Sequence, residues 1–184
     1  MANTNPIGAV AVIGGGIAGV QSALDLANCG YRVYLIESKP SIGGVMAQLD
    51  KTFPTMDCSA CILSPKLVEA SRHPNVVLMT YSDVTALSGD VGDFTLTVKK
   101  KTRYINVDNC VGCGDCIPKC PKKVSDEFEA NLIKRRAIYF QFTQAIPKVV
   151  TIDPDNCLMI KNGKCGNCAK ACLRNAINFN LKDE

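Results

Sequence analysis

A two-part architecture, an α/β domain followed by a smaller α+β domain, is what three stretches of this 184-residue chain predict. The first is "GAVAVIGGGIAGVQSALDLANCGYRVYLIES" from residue 8, an apolar run, a glycine turn and a helical repeat in that order. The second is "CVGCGDCIPKC" at 110 to 120, followed at once by Pro121. The third is a looser copy of the second, "CLMIKNGKCGNCAKAC" at 157 to 172.

The apolar run from Ala9 to Ile13 reads as a buried strand preceded by a short tail. Apolar residues at helical spacing follow the glycines: Ile17, Val20, Ala23, Leu24 and Ala27. The turn "NCGY" ends that helix with Gly30 as its cap, and "RVYLIES" is a second buried strand. Strand, glycine turn, helix and strand make a Rossmann-like βαβ unit with a right-handed crossover. Further on, "SPKLVEASRH" reads as a short helix and "NVVLMTYSDVTAL" as one extended strand. "GDFTLTVKKKTRYINV" alternates as an antiparallel strand does. The composition changes near "VKKKTRY", which puts one domain at 1–102 and the other at 103–184.

An apolar fraction of 47% and a charged fraction of 21% are those of a globular protein. No apolar run approaches the roughly 20 residues of a membrane helix. "MANTNPIGAVAVIGGG" has no basic leader and no cleavage site, so no export is expected. Eleven cysteines, an odd count with tight CxxC spacing, point to a reducing compartment, the cytoplasm, and to metal rather than disulfides. A formal charge of +4 invites nucleic acid as a partner. Two cubane clusters of about −2 each, thiolates included, would cancel that excess, so no nucleic-acid role is expected.

Gly14, Gly16 and Gly19 form G-x-G-x-x-G, and Glu37 ends the second strand 18 residues later. Gly14 permits the tight turn, Gly16 admits a pyrophosphate against the backbone, and Gly19 lets helix and strand pack closely. The N–H groups at the helix start then meet the phosphates and Glu37 accepts from a ribose. Ala18 in the turn and Ser38 beside the acid join this cofactor-binding set. Gly43 and Gly44, in "ESKPSIGG", resemble the E-x(5)-GG element of the FAD domain in two-dinucleotide-binding flavoproteins. That resemblance implies FAD, and it places Val84 where those domains make a backbone contact to adenine; a plain strand valine is the other reading.

"DCSACILSPKLV" leaves three readings open. Cys58 and Cys61 start a helix whose dipole lowers thiol pKa, so they form a redox pair, or ligands completed by another chain, or a pair of structural thiols. Cys29, alone on its helix, reads as core filler and His73 as a loop residue.

Cys110, Cys113, Cys116 and Cys120 have the spacing C-x2-C-x2-C-x3-C-P of bacterial ferredoxins. Short gaps wrap three thiolates around three corners of one cubane, and the fourth serves the other cluster. One 4Fe–4S cluster then takes Cys110, Cys113, Cys116 and Cys172, and the second takes Cys157, Cys165, Cys168 and Cys120. Zinc, which also takes four thiolates, is the competing metal. The shared lead-ins "INVDNC" and "TIDPDNC" mark an internal duplication, and Gly112 and Gly114 suit a backbone that turns its N–H groups toward sulfide. Leu173 stands where proline would be usual. The intervening "KKVSDEFEANLIKRRAIYFQFTQAIPKV" reads as a solvated arm or hairpin, or as a docking surface.

The flavin fingerprint, "PSIGGVMAQLDKTFPTMDCSACILSPK" and "RYINVDNCVGCGDC", in this order, resemble the A subunit of heterodisulfide reductase and the related flavoprotein subunits of quinone-interacting membrane-bound oxidoreductase. The resemblance implies an oxidoreductase of anaerobic metabolism. It passes electrons between FAD and partner subunits through two 4Fe–4S clusters, which form a ferredoxin unit inserted in the FAD domain. The returning half of such an FAD domain is not encoded after "INFNLKDE", so it is expected to be missing or to be supplied by a second polypeptide. Two other functions stay open. One is an FAD-dependent dithiol/disulfide oxidoreductase using Cys58 and Cys61. The other is a ferredoxin-like carrier whose first half is a scaffold without flavin.

Overall fold

The computed structural model describes residues 8–184, so the tail expected before the first strand lies outside the described residues. The chain divides into two compact units, Met1–Lys101 and Thr102–Glu184.

The first unit is built on a three-stranded parallel sheet in which Arg32–Glu37 lies between Ala9–Ile13 and Val76–Thr80. Strand β1 (Ala9–Ile13) leads through the glycine turn into helix α1 (Ile17–Asn28), and β2 (Arg32–Glu37) follows. Gly30, at φ +97°, ends α1 in the left-handed conformation that a side chain disfavours. A 3₁₀ turn (Gly44–Gln48) and the short antiparallel pair β3 (Lys51–Thr52) and β4 (Asp57–Cys58) precede helix α2 (Ser59–Arg72). Strand β5 (Val76–Thr80) then pairs with β2, Val33 opposite Val76 and Glu37 opposite Thr80. Val20, Ala23, Leu24 and Ala27 of α1 bury one stripe, and Leu63, Leu67 and Ala70 of α2 another, beside Val33, Leu35 and Ile36 of β2.

Three expectations for this unit are corrected. Strand β1 is not buried: its exposure alternates along Ala9–Ile13 and Ile13 is 67% exposed. It pairs only with β2, so it is an edge strand with little covering it. The expected single strand through "NVVLMTYSDVTAL" breaks at Tyr81, φ +59°, a conformation costly for an aromatic residue. Beyond the break the chain forms a separate antiparallel hairpin, β6 (Ser82–Asp90) with β7 (Asp93–Lys100), turned at Gly92 and bulged between Val84 and Ala86. Helix α2 is also longer than the short helix expected from "SPKLVEASRH": it starts at Ser59, in keeping with the helix start expected at Cys58 and Cys61, and carries Pro65 inside it. The Pro65 ring supplies no N–H for the Cys61 carbonyl.

In the second unit, β8 (Lys123–Ser125) and β9 (Lys134–Arg136) form a hairpin, and β10 (Ile138–Tyr139) pairs with β11 (Thr151–Ile152). Two five-residue helices, α3 (Leu158–Asn162) and α4 (Asn167–Ala171), follow. The duplication is visible in matched turns. Asn106 Oδ1 accepts from Asp108 N at 3.1 Å, and Asp153 Oδ1 accepts from Asp155 N at 3.0 Å, each just ahead of a cysteine. The core is Ile105, Ile138, Val149, Val150, Ile152 and Ala176 with three cysteine side chains among them.

The intervening arm is tied down rather than solvated throughout. Arg135 keeps only 7% side-chain exposure, pairs with Glu127 at 2.9 Å and Asp153 at 3.0 Å, and lies 3.9 Å from the Tyr139 ring centroid. Phe128 stacks on Phe142 at 5.1 Å.

Candidate functional site

The glycine turn of the first unit is a close three-way approach of backbone. Gly14 takes φ +103°, and its N–H donates to the Ile36 carbonyl at 2.7 Å, fastening the turn to β2. A Cβ on Gly19 would sit 1.9 Å from the Gly14 carbonyl oxygen, so only glycine lets helix and strand meet here. A Cβ on Gly16, by contrast, meets nothing within 4 Å, which leaves an open cradle at the start of α1. The second glycine pair returns to the same place: Gly43 N donates to the Gly15 carbonyl at 2.7 Å, and a Cβ on Gly44 would lie 2.9 Å from Gly16 Cα.

Glu37 is 8% exposed. Its Oε2 accepts from Gly15 N at 2.7 Å, and its Oε1 from Lys39 N at 2.8 Å and the Ser38 hydroxyl at 3.2 Å. The acid therefore holds the turn from within, and a ribose would join an already hydrogen-bonded carboxylate. Ala18 is exposed on the first turn of α1, and Val84 stands opposite Val98 at the bulge of the β6–β7 hairpin. Sequence reasoning passed over Gly15. A Cβ there would lie 2.5 Å from Ile42 Cγ2 and 3.1 Å from Glu37, and the run of three glycines was the available signal.

Cys58 caps α2, and its Sγ accepts from Cys61 N at 3.3 Å; both thiols are exposed. A hydrogen bond between the two thiols, helped by the Cys61 N–H, holds Cys58 below the usual thiol range, and the thiol–thiol bond pushes Cys61 above it. Cys29 is exposed as the C-cap of α1, not core filler, because it stands beyond the last helical residue and off the buried stripe of Val20, Ala23, Leu24 and Ala27. His73 ends α2, its Nδ1 accepting from Asn75 N at 3.1 Å.

The eight remaining cysteines fall into two cavities. One is lined by Cys110, Cys113, Cys116 and Cys172 with Val150, Ala176 and Ile177. The other is lined by Cys120, Cys157, Cys165 and Cys168 with Ile138, Ile152 and Met159. Each combines three thiols of one half with the last thiol of the other. Burial pushes Cys116 up to about 12 and Cys168 up to about 11, so a bare thiol at either position keeps its proton at neutral pH. Among the described residues no three His, Cys, Asp or Glu side chains converge as ligands of a single metal ion. Four thiols around an apolar hollow suit a polynuclear sulfide cage better than one tetrahedral zinc. Gly112 and Gly114 take φ +66° and +83°, and Gly114 lines the first cavity.

Residues 8–170 match the family model of the pyridine nucleotide-disulphide oxidoreductases. The chain belongs to that family. It is 52% identical over 173 residues to the iron-sulfur A subunit of the CoB--CoM heterodisulfide reductase of Methanocaldococcus jannaschii, covering 94% of this chain and 26% of that protein. It is 57% identical over 159 residues to a protein of Archaeoglobus profundus described as like the A subunit of heterodisulfide reductase, covering 85% and 23%. A third relative, the A subunit of the H(2):CoB-CoM heterodisulfide,ferredoxin reductase of Methanothermobacter thermautotrophicus, is 45% identical over 173 residues, 94% of this chain and 26% of its own length. The resemblance read from the motifs thus holds across almost all of the sequence, although the chain spans about a quarter of the length of these curated relatives. Among the described residues, no helix is long and apolar enough to cross a membrane.

Proposed function

We propose that the chain is the flavin- and cluster-binding segment of a heterodisulfide-reductase-like oxidoreductase, relaying electrons between FAD and partner subunits in the cytoplasm. The observation that carries this reading is the division of the eight thiols into two four-thiol cavities, each drawing one cysteine from the other half.

When bound, FAD supplies exchange of one or two electrons and each 4Fe–4S cluster exchange of one. The chain's own residues bind and orient them. Gly14 and Gly16 leave the backbone bare at the N-terminus of α1, where N–H groups and the helix dipole favour phosphate, with Ala18 exposed on the first turn and Gly19 packing the helix onto Gly14. Glu37 and Ser38 meet the ribose, Gly43 and Gly44 wall the turn, and Val84 flanks the adenine. Cys110, Cys113, Cys116 and Cys172 hold one cluster, and Cys157, Cys165, Cys168 and Cys120 the other. Buried aliphatic residues around both cavities keep water away from the sulfurs, one of the means by which a protein sets a cluster potential. The open edge of β1 supports a sheet completed by further polypeptide that closes the flavin site.

Iron, sulfide and flavin analysis of the anaerobically purified chain tests the proposal. About eight irons and eight sulfides per chain, with FAD retained or taken up on addition, is the expected result. Zinc in place of iron would end it, and full iron with no FAD uptake would leave a cluster carrier with a scaffold half.

A dithiol role for Cys58 and Cys61 is a second reading, favoured by the contact between Cys58 Sγ and Cys61 N. It requires that both thiols become alkylatable only after reduction.

A further inference from the structure

The lead-ins to the two thiol sets, "INVDNC" at 105–110 and "IDPDNC" at 152–157, align residue for residue, so Asp153 occupies the place of Asn106. Both residues build the same turn. Asn106 Oδ1 accepts from Asp108 N at 3.1 Å and Asp153 Oδ1 from Asp155 N at 3.0 Å, each after a buried isoleucine. An amide is therefore enough for the turn, and the charge at 153 is an addition that the repeat does not need in order to fold.

The surroundings of the two residues differ. Asn106 is exposed, whereas the Asp153 side chain is only 11% exposed. Asp153 Oδ2 accepts from Arg135 Nη2 at 3.0 Å and from Asn156 Nδ2 at 3.0 Å, and Asn156 directly precedes Cys157. Asp153 N donates to the Ala137 carbonyl at 2.8 Å, and Ala137 and Ile152 both line the cavity of Cys120, Cys157, Cys165 and Cys168. Arg135 pairs with Glu127 as well, so the three groups sum to one negative charge beside the wall of this cavity. Lys122, on the same lining, is exposed, and solvent screens its charge. At the other cavity the charged lining residues, Asp115 and Arg174, offset one another.

From this asymmetry we propose that Asp153 sets the potential of one cluster. Its buried carboxylate lowers the reduction potential of the cluster on Cys157, Cys165, Cys168 and Cys120, so the two duplicated sites are not equivalent as electron carriers. The inference rests on the proposed cluster binding. Reduction adds an electron to a group that is already negative, and a fixed negative charge nearby, kept from water, raises the energy of the reduced form. Arg135 draws the acid inward and hydrogen-bonds it, and Glu127 takes up the compensating charge of that guanidinium.

The test reads potentials rather than turnover. The full chain, purified anaerobically with its iron counted first, is titrated redox-potentiometrically and followed by electron paramagnetic resonance. Asp153→Asn keeps an acceptor for Asp155 N but removes the charge. It should raise one reduction step by about tenfold in its equilibrium constant, the order a unit charge contributes at an effective dielectric of about 20, or about 59 mV for one electron. The other step should stay in place. Asn106→Asp, at an exposed position, should lower that other step by about threefold. Glu127→Gln, at a residue 68% exposed, should raise the first step by less than Asp153→Asn does. Unmoved steps in Asp153→Asn, or the same step moving in Asp153→Asn and in Asn106→Asp, overturn the role of Asp153 and leave the cluster reading standing. Should Asp153→Asn lose its iron, Asn106→Asp decides alone: a fall in one step supports the inference, and no movement overturns it. Absence of iron from the starting protein defeats the cluster reading, and this inference with it.

Discussion

Replacing Gly19 and Gly16 by alanine, one at a time, separates the two tasks of the glycine turn. At Gly19 the added Cβ would stand 1.9 Å from the Gly14 carbonyl oxygen, whereas real contacts of this kind stay above 3.0 Å. The backbone must open by about 1 Å between α1 and the turn, a strain in the range of about 1–3 kcal/mol for overpacking. For a domain of this size, each kcal/mol lowers Tm by about 4–8 °C. At Gly16 the Cβ meets nothing within 4 Å, and the residue's φ of −72° suits any side chain. Gly16→Ala should therefore move stability by less than about 0.5 kcal/mol. It should still impair FAD uptake, because the methyl fills the space a pyrophosphate needs. Thermal melts of the flavin-free chain followed by circular dichroism, beside equilibrium flavin titration, read both effects. Equal destabilisation by the two variants, or unchanged FAD affinity in Gly16→Ala, would refute the division.

Other outcomes follow from the same geometry. Arg135→Met leaves Asp153 as a largely buried carboxylate without its cation and should destabilise the second unit by about 3 kcal/mol, while Glu127→Gln, at an exposed partner, should cost less than about 1 kcal/mol in urea unfolding. Burial works most strongly on Glu127, against its charged form, but the hydrogen bond and charge of Arg135 together with a backbone hydrogen bond outweigh it and hold the carboxyl below its usual value of 4.5. Its small contribution is thus complete above pH 4.5 and disappears as pH falls through the depressed folded value, so unfolding curves of wild type and Glu127→Gln should converge at acid pH. Iodoacetamide at neutral pH should label Cys58 before Cys61, as peptide mass spectrometry would record, and the reverse order would contradict the hydrogen bond that joins them.

Much of the first unit was legible because spacing carries it. The helical repeat from Ile17 to Ala27 and the glycine offsets have one physical solution, the βαβ turn observed. The features that escaped depend on neighbours rather than on local pattern. The run "AVAVI" looks the same in a central strand and at an edge, and only pairing partners distinguish the two. Nothing in "TYSD" announces a left-handed Tyr81, nor does "LANC" say that Cys29 leaves the core. In the arm, "KRR" reads as a solvated charge run, yet Arg135 is drawn inward by Glu127, Asp153 and the Tyr139 ring, partners far apart in the chain. Thiol spacing was more informative, since gaps of two and three residues restrict which sulfurs reach a common cage.

Iron counts on two single variants probe the crosswise sharing of sulfurs most directly. In Cys120→Ser and Cys172→Ser, purified anaerobically, the account predicts loss of one cluster each, about four irons remaining. Spectra should show that Cys120→Ser spares the cluster on Cys110, Cys113 and Cys116, and that Cys172→Ser spares the one on Cys157, Cys165 and Cys168. Loss of the cluster in the variant's own half instead would contradict it.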